Sequence, residues 1–368
     1  MRRAQNPGRV FVGFATERMK PRGRRGAARA SVKGMQPTSP IQYAASESGT
    51  VPPLEQVREG IWALPQAMPN PQLPYTLSYL IVDADNRVHI IDPAWDSDDN
   101  FAVLEHGLAE IGSSVGRIAS ATMTHMHIDH IGLAGRLQTA FGARIGLSRI
   151  DQEAIADQSL VPATTYGDDD FDRWGAPDDE RARLRETFLS DAAVVDIRAD
   201  LLLEPSDTLD IPGRTIRVLA TPGHTAGSVC FVDEDARLVF TGDHVLPMIF
   251  PGIGLGGRMP GNPVSTYLDS LGSLAPFDDW EVLPGHGYRF TGLGERRRES
   301  AEHHDRRTRE TAAVLAGHPE ASVWQVAEQL HWTAGWDGLK GAYRRSALAQ
   351  TEMHSDRVRN GDWASYIG

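Results

Sequence analysis

Four side chains that readily bind metal ions fall within six residues in Thr124-His125-Met126-His127-Ile128-Asp129-His130. Imidazole nitrogen and carboxylate oxygen are donors that suit zinc at about 2.0–2.2 Å, and the same donors suit iron or manganese. Three further candidates lie downstream, each beside a glycine. His224 falls in Thr221-Pro222-Gly223-His224-Thr225-Ala226-Gly227-Ser228, Asp243 in Thr241-Gly242-Asp243-His244, and His286 in Leu283-Pro284-Gly285-His286-Gly287. Glycine lets a backbone turn sharply and lets an ion approach it closely. One histidine signifies little. Five histidines and two aspartates in this arrangement point to a metal centre, and the chemistry such a centre does best is hydrolysis.

The elements that must position these residues can be read from apolar spacing. Ile118–Met123 is a short apolar run that leads directly into the first cluster and reads as a strand. At its end the chain turns, so the alternate side chains 125 and 127 can reach one ion. Asp129 and His130 then stand at the mouth of a helix expected over Ile131–Phe141 and can face a second. Strands are also expected at Ile61–Leu64, Thr76–Val82, Arg87–Ile91, Ala143–Leu147, Thr208–Ile211, Thr215–Leu219, Ser228–Val232, Leu238–Thr241 and Trp280–Leu283. Helices are expected at Phe101–Ile111 and Val264–Leu274. The alternation of strand and helix implies a layered α/β domain. In such a domain strand ends along one edge converge, and there ligands from distant parts of the chain can meet.

The sequence His-x-His-x-Asp-His, followed by Gly-His-Thr-x-Gly-Ser, Gly-Asp-His and Pro-Gly-His-Gly, resembles the metallo-β-lactamase superfamily over roughly residues 55–290. The site is most similar to the hydroxyacylglutathione hydrolase (glyoxalase II) type. The resemblance implies an αββα sandwich of two facing sheets flanked by helices. It implies that His125, His127 and His224 hold one metal, that Asp129, His130 and His286 hold a second, and that Asp243 bridges them. Two zinc ions are the implied cofactor, with iron or manganese as alternatives. The implied reaction is attack of a bridging hydroxide on a small thioester, ester or lactone, with Asp129 and Asp243 as the catalytic carboxylates. Many true β-lactamases of the superfamily carry a cysteine ligand at the Asp243 position. The single cysteine here, Cys230, sits elsewhere on a strand, which argues against β-lactam hydrolysis.

Three parts are expected: a disordered basic tail over residues 1–52, the catalytic domain over 53–294 with a helical insertion at 149–206 capping the site, and a C-terminal region over 295–368. That last region reads as helical from Arg296–Leu315, Val323–Leu330 and Tyr343–Val358, and resembles a winged-helix appendage of one superfamily branch that includes an endoribonuclease. A metal-dependent phosphodiesterase or endoribonuclease is therefore the alternative function. Charge weighs against it. Of 37 basic and 49 acidic residues, ten basic and one acidic lie in residues 1–34, so the rest of the chain is strongly acidic. An acidic body repels nucleic acid and anionic membrane. From Glu295 onward bases and acids balance, whereas a nucleic-acid module shows a basic face. The short interval between Asp243 and His286 leaves no room for the inserted domain of some nucleases. Seven ligands argue against a mononuclear iron dioxygenase, and the lack of an appended flavin domain against an oxygen reductase.

No apolar stretch reaches the ~18–20 residues that span a bilayer. With one cysteine no intrachain disulfide can form, which fits a cytoplasmic protein. The expected partner is a small acyl substrate, with neither nucleic acid nor membrane, and a homodimer is the candidate assembly. Met35 is a candidate natural start. His244 reads as packed beside the ligands, and His303 and His304 as a solvated helix face. Tyr75 and Tyr79 are candidates to reach substrate, and Arg296–Arg298 and Arg306–Arg309 to hold a thiol carrier. Gly252–Gly261 reads as a loop that shapes the pocket.

Overall fold

Apolar runs without polar alternation become strands buried on both faces. The computed structural model describes residues 34–70, 73–157, 168–185, 197–257, 259–332, 335–361 and 363. With elements numbered along the chain, one seven-stranded sheet runs β2 (Glu55–Arg58), β3 (Ile61–Ala67), β4 (Tyr75–Val82), β5 (Val88–Ile91), β6 (Ile118–Thr122), β7 (Arg144–Ser148) and β8 (Leu201–Leu203), in that spatial order. It is antiparallel from β2 to β5 and parallel from β5 to β8. The six-stranded sheet has the order β1 (Gln36–Pro37), β13 (Phe290–Thr291), β12 (Glu281–Pro284), β11 (Leu238–Gly242), β10 (Val229–Asp233), β9 (Ile216–Ala220). Only β11 and β12 are parallel within it.

Parallel neighbours require a crossover, and helices supply them. In chain order the helices are α1 (Pro40–Ser48), α2 (Asp98–Glu110), α3 (Ile128–Ile131), α4 (Ala134–Phe141), α5 (Arg149–Ala156), α6 (Asp168–Trp174), α7 (Asp178–Leu184), α8 (Pro263–Ser273), α9 (Leu293–Gly317), α10 (Val323–Gln329) and α11 (Gly341–Arg359). Strand β10 shows how the layers form. Val229 and Phe231 enter the core between the sheets with Ile61, Tyr79 and Leu283. Cys230 and Val232 point the other way, onto Val264, Tyr267 and Leu271 of α8. The seven-stranded sheet covers its outer face with Phe101, Leu104 and Leu108 of α2 and Leu137 of α4. The result is the helix–sheet–sheet–helix sandwich expected from the sequence.

Several expectations need correction. Disorder through residue 52 is not what is found where the described residues begin. Gln36 and Pro37 pair with Thr291 and Phe290, and α1 is capped by Ser39, whose hydroxyl accepts from the Gln42 amide. Residues 1–33 lie outside the described residues. Thr208–Ile211 makes only an isolated bridge, Thr208 to Arg217. The helix expected over Ile131–Phe141 starts earlier and breaks into α3 and α4 around Gly132. A Cβ there would stand 2.6 Å from the Ala94 carbonyl oxygen.

The described part of the 149–206 insertion does not cap the site. Phe171, Trp174 and Leu184 of α6 and α7 pack on Val323, Trp324 and Leu348 of the C-terminal helices. Trp174 donates to Glu352 at 2.9 Å, and Arg173 pairs with Glu352 at 2.6 Å. The C-terminal region is helical as expected, but past Thr291 no strand, and hence no wing, occurs among the described residues. No described helix is long and apolar enough to cross a membrane.

Candidate metal centre

Four strand ends deliver the seven side chains. The chain leaves β6 at Thr122 and presents His125, then His127 as the N-cap of α3, then Asp129 and His130 on α3 itself. The turn from β9 to β10 carries His224, β11 ends immediately before Asp243, and β12 ends two residues before His286. All seven converge. The ring nitrogen His127 Nδ1 lies 3.0 Å from both His125 Nε2 and His224 Nε2. A second trio forms where His286 Nε2 stands 3.2 Å and His130 Nε2 3.7 Å from Asp129 Oδ2. Asp243 stands between the two sets. Its Oδ1 is 3.4 Å from both His130 Nε2 and His286 Nε2, and its Oδ2 is 3.7 Å from His224 Nε2.

The far nitrogen of each ring fixes which atom faces the centre. His127 Nε2 donates to the Leu255 carbonyl at 2.8 Å, His224 Nδ1 to the Gly252 carbonyl at 2.7 Å, and His286 Nδ1 to the Tyr75 carbonyl at 2.8 Å. His130 Nδ1 donates to Asp92 at 2.9 Å. The Thr124 hydroxyl donates to Asp92, so its oxygen accepts from His125 Nδ1 at 3.1 Å. With its outer nitrogen so engaged, each of the five imidazoles turns its other nitrogen inward, the arrangement outer hydrogen bonds impose on metal-ligating histidines.

Lone pairs facing one another at 3.0 Å repel unless a cation lies between them. Ligands about 2.0–2.1 Å from a tetrahedral ion stand roughly 3.3 Å apart, close to what is seen. His130 Nε2, His286 Nε2 and Asp243 Oδ1 are buried and find no protein hydrogen-bond partner. Gly285 keeps the space open, because a Cβ there would meet Asp243 Oδ1 and His130 Cε1, each at 2.6 Å. The residues fit a pair of divalent ions.

Electrostatics agree. Burial, reinforced by neighbouring imidazoles, holds His125 well below the usual histidine value and His224 at about 4. Burial likewise lowers His127 against the pull of Asp129. Burial also opposes charge on His130 and His286, but there Asp129 and Asp243, joined by Asp92 at His130, win and raise both. Asp129 and Asp243 are depressed against their own burial by the same rings. The second trio is thus an anionic pocket that demands positive charge, as protons or as metal.

Two carboxylates absent from the sequence reading organise the centre. Asp92, held at φ 55°, accepts from the Thr124 amide at 2.7 Å as well as from His130. Fully buried Asp151 accepts from the Met126 amide at 2.9 Å, the Gly227 amide at 2.9 Å and the Thr225 hydroxyl at 3.0 Å. It therefore ties the loop bearing His125 and His127 to the loop bearing His224. Burial raises its carboxyl to about 6. A Cβ on Gly227 would lie 2.5 Å from Asp151 Oδ1, so only glycine allows this approach.

The other candidates divide. His244 is buried edge-on to Tyr267 with ring centroids 4.9 Å apart, beside the ligands rather than among them. Tyr75 and Tyr79 do not reach into the site. Their hydroxyls donate to the Gly287 and Pro284 carbonyls, bracing the turn that bears His286. His304 is not on a solvated face but buried between Tyr267 and His354, and His303 stacks on Phe250 at 4.0 Å. Four of the six arginines expected to hold a carrier are otherwise engaged. Arg297 pairs with Asp278, Arg298 with Glu295, and Arg307 with Glu310, while buried Arg296 holds the carbonyls of Leu246 and Ile249. The Gly252–Gly261 loop shapes the pocket as expected, and its carbonyls also orient His127 and His224. A cavity of about 480 Å³ opens over the ligands, floored by His127, Asp129, His224 and Asp243.

Comparison with known proteins agrees with this geometry. Residues 73–286 match the family model described as metallo-beta-lactamase superfamily. The hydroxyacylglutathione hydrolase GloC of Haemophilus influenzae is 27% identical over 216 residues, 56% of this chain and 88% of that protein. The human acyl-coenzyme A thioesterase MBLAC2 is 28% identical over 171 residues, 45% of this chain and 55% of that protein. A crystal structure of a metallo-beta-lactamase family protein from Thermus thermophilus superposes with a TM-score of 0.67 at 26% identity, covering 83% of this chain and 95% of that one. The family match spans more than half of the chain and contains all seven converging side chains, so this protein belongs to the metallo-beta-lactamase superfamily and is a metal-dependent hydrolase.

Proposed function

We propose that the protein is a dinuclear zinc hydrolase of small acyl substrates, thioesters first, with esters and lactones as the neighbouring chemistry. The observation that carries this reading is Asp243, whose two oxygens face two separate ligand trios. Zinc ions held by those trios would lower the pKa of a bound water and polarise a substrate carbonyl. The chain's own residues do the rest. Asp129 and Asp243 line the cavity floor, where the carboxylates hold and orient the attacking water. Asp151 and Asp92 keep the ligand loops in register, so little reorganisation is left for the reaction itself. In thioester hydrolysis the water oxygen bonds to the acyl carbon, the carbon–sulfur bond breaks, and the water proton ends on the departing thiolate. The products are a carboxylic acid and a thiol. Both relatives named above carry, in their names, a thioester substrate.

The test is a panel of S-lactoylglutathione, acetyl-coenzyme A, an acyl-homoserine lactone and a short RNA, presented to the zinc-loaded protein. Thiol release from at least one thioester is expected. Cleavage of the RNA alone would replace this reading with the phosphodiesterase alternative.

A further inference from the structure

The cavity floored by the ligands extends away from them along an apolar wall of Leu73, Trp95, Leu246, Ile249, Leu255 and Tyr343. Four separate parts of the chain build it, the first being Leu73 just before β4. Trp95 follows β5, Leu246 and Ile249 follow β11, and Tyr343 comes from α11 of the C-terminal region. Ile249 and Tyr343 expose 36% and 37% of their surface, so they form its rim, while the metal ligands lie deep. Large apolar side chains left in water beside an apolar concavity mark a binding surface. Among the described residues no lysine or arginine lines the wall. The wall itself therefore offers no cation to a carboxylate or phosphate, and burying such a group against it is costly. At about 480 Å³ it lies within the ~300–1,000 Å³ range of small-molecule sites and exceeds what an acetyl or lactoyl group fills.

The wall is also held in place. From α9, Arg296 Nε donates to the Leu246 carbonyl at 2.7 Å and Arg296 Nη2 to the Ile249 carbonyl at 2.6 Å. Its guanidinium lies over the Phe250 ring, 4.5 Å from the centroid. The C-terminal helices thus act on the pocket twice, through Tyr343 directly and through Arg296 by way of the loop.

We infer that this cavity is an acyl-chain subsite, selecting substrates whose acyl arm is an uncharged, extended hydrocarbon, with Tyr343 as a specificity-determining residue that packs on the outer part of that chain. The inference rests on the thioester reading and adds which arm of the substrate enters and which residue reads it. The polar or charged carrier stays outside the apolar wall, which among the described residues holds no lysine or arginine.

Two measurements test it and separate it from the reading it rests on. The first is calorimetric binding of non-hydrolysable amides, made from N-acetylethylenediamine with butanoic, hexanoic and decanoic acid, to the zinc-loaded protein. Affinity is expected to rise about threefold per methylene while the chain runs along the wall. Tyr343→Ala is expected to contract the ratio of decanoyl to butanoyl affinity about fivefold, and Tyr343→Phe to restore it. Equal affinity at all lengths, or a ratio that Tyr343→Ala leaves alone, overturns the subsite. The second is turnover of the matching N-acetylcysteamine thioesters, where the preference is expected mainly in KM. Chain-length-ordered binding without any thioester cleavage upholds the subsite and removes the thioesterase reading. Cleavage with no chain-length preference does the reverse.

Discussion

Asp243 and Asp151 show two ways in which a carboxylate supports a metal centre. Asp243 touches both ligand trios, so Asp243→Ala is expected to remove both ions and abolish turnover, and Asp129→Ala to do the same from the second trio. Metal content by plasma mass spectrometry checks this, and full metal with full activity in either variant contradicts it. Asp151 touches no ligand, but Asp151→Ala leaves the Met126 and Gly227 amides and the Thr225 hydroxyl without their buried acceptor. The expected cost is about 2–4 kcal/mol of stability, with about 10- to 100-fold weaker zinc binding, as for other outer partners of ligands. A chelator competition that finds wild-type affinity in a folded Asp151→Ala variant would reject that role. The seven converging side chains were legible in the sequence because residue type and spacing both pointed to metal. Asp92 and Asp151 were not, because each is a lone acid whose partners lie 25 to 76 positions away and meet it only on folding.

At the scale of elements, the central strands could be read because both faces of each are apolar, as in β10 and β11. The short strands β1, β8 and β13, at or next to a sheet edge, could not. They have two or three residues each, and pairing rather than pattern defines them. The break at Gly132 likewise comes from the approach of Ala94 and Asp96, which local propensity does not record. Arginine-rich α9 was misjudged for a related reason. Charge suggested an exposed face for a carrier, whereas the fold buries Arg296 against the loop that walls the pocket. Arg296→Met is therefore expected to cost about 1–3 kcal/mol and to raise KM several-fold while zinc content stays unchanged. Loss of zinc in that variant, or an unchanged KM, would show that the loop does not depend on this clamp.

Across the whole molecule, the C-terminal helices join the catalytic sandwich through buried histidines. His304 and His354 stack with ring centroids 5.9 Å apart, and the His354 ring lies 2.8 Å from the Thr308 hydroxyl of α9. Burial, then neighbouring His303 and the cations of Arg357 and Arg307, pushes His304 down to about 3. Burial, then His304 and the same two arginines, holds His354 well below the histidine range. Below pH ~6.5 the unfolded chain binds protons that these native histidines refuse. Their contribution is thus complete above that value and falls as the solution is acidified, by up to ~1.4 kcal/mol per histidine per pH unit. Urea midpoints at about pH 7.5 and about pH 5 are expected to differ less in His304→Gln than in the parent protein. An identical difference would remove the seam from the account. The sequence marked this region as helical but not as part of the pocket, because Tyr343 and Ile249 become neighbours of the metal ligands only in three dimensions.

The metal content of the active protein bears most directly on the whole account. Plasma mass spectrometry on protein purified without added chelator, referenced to quantitative amino-acid analysis, is predicted to find two divalent transition-metal ions per chain. Activity should be lost on chelation and recovered as both sites refill. Full hydrolytic activity in a preparation that contains no transition metal would contradict it.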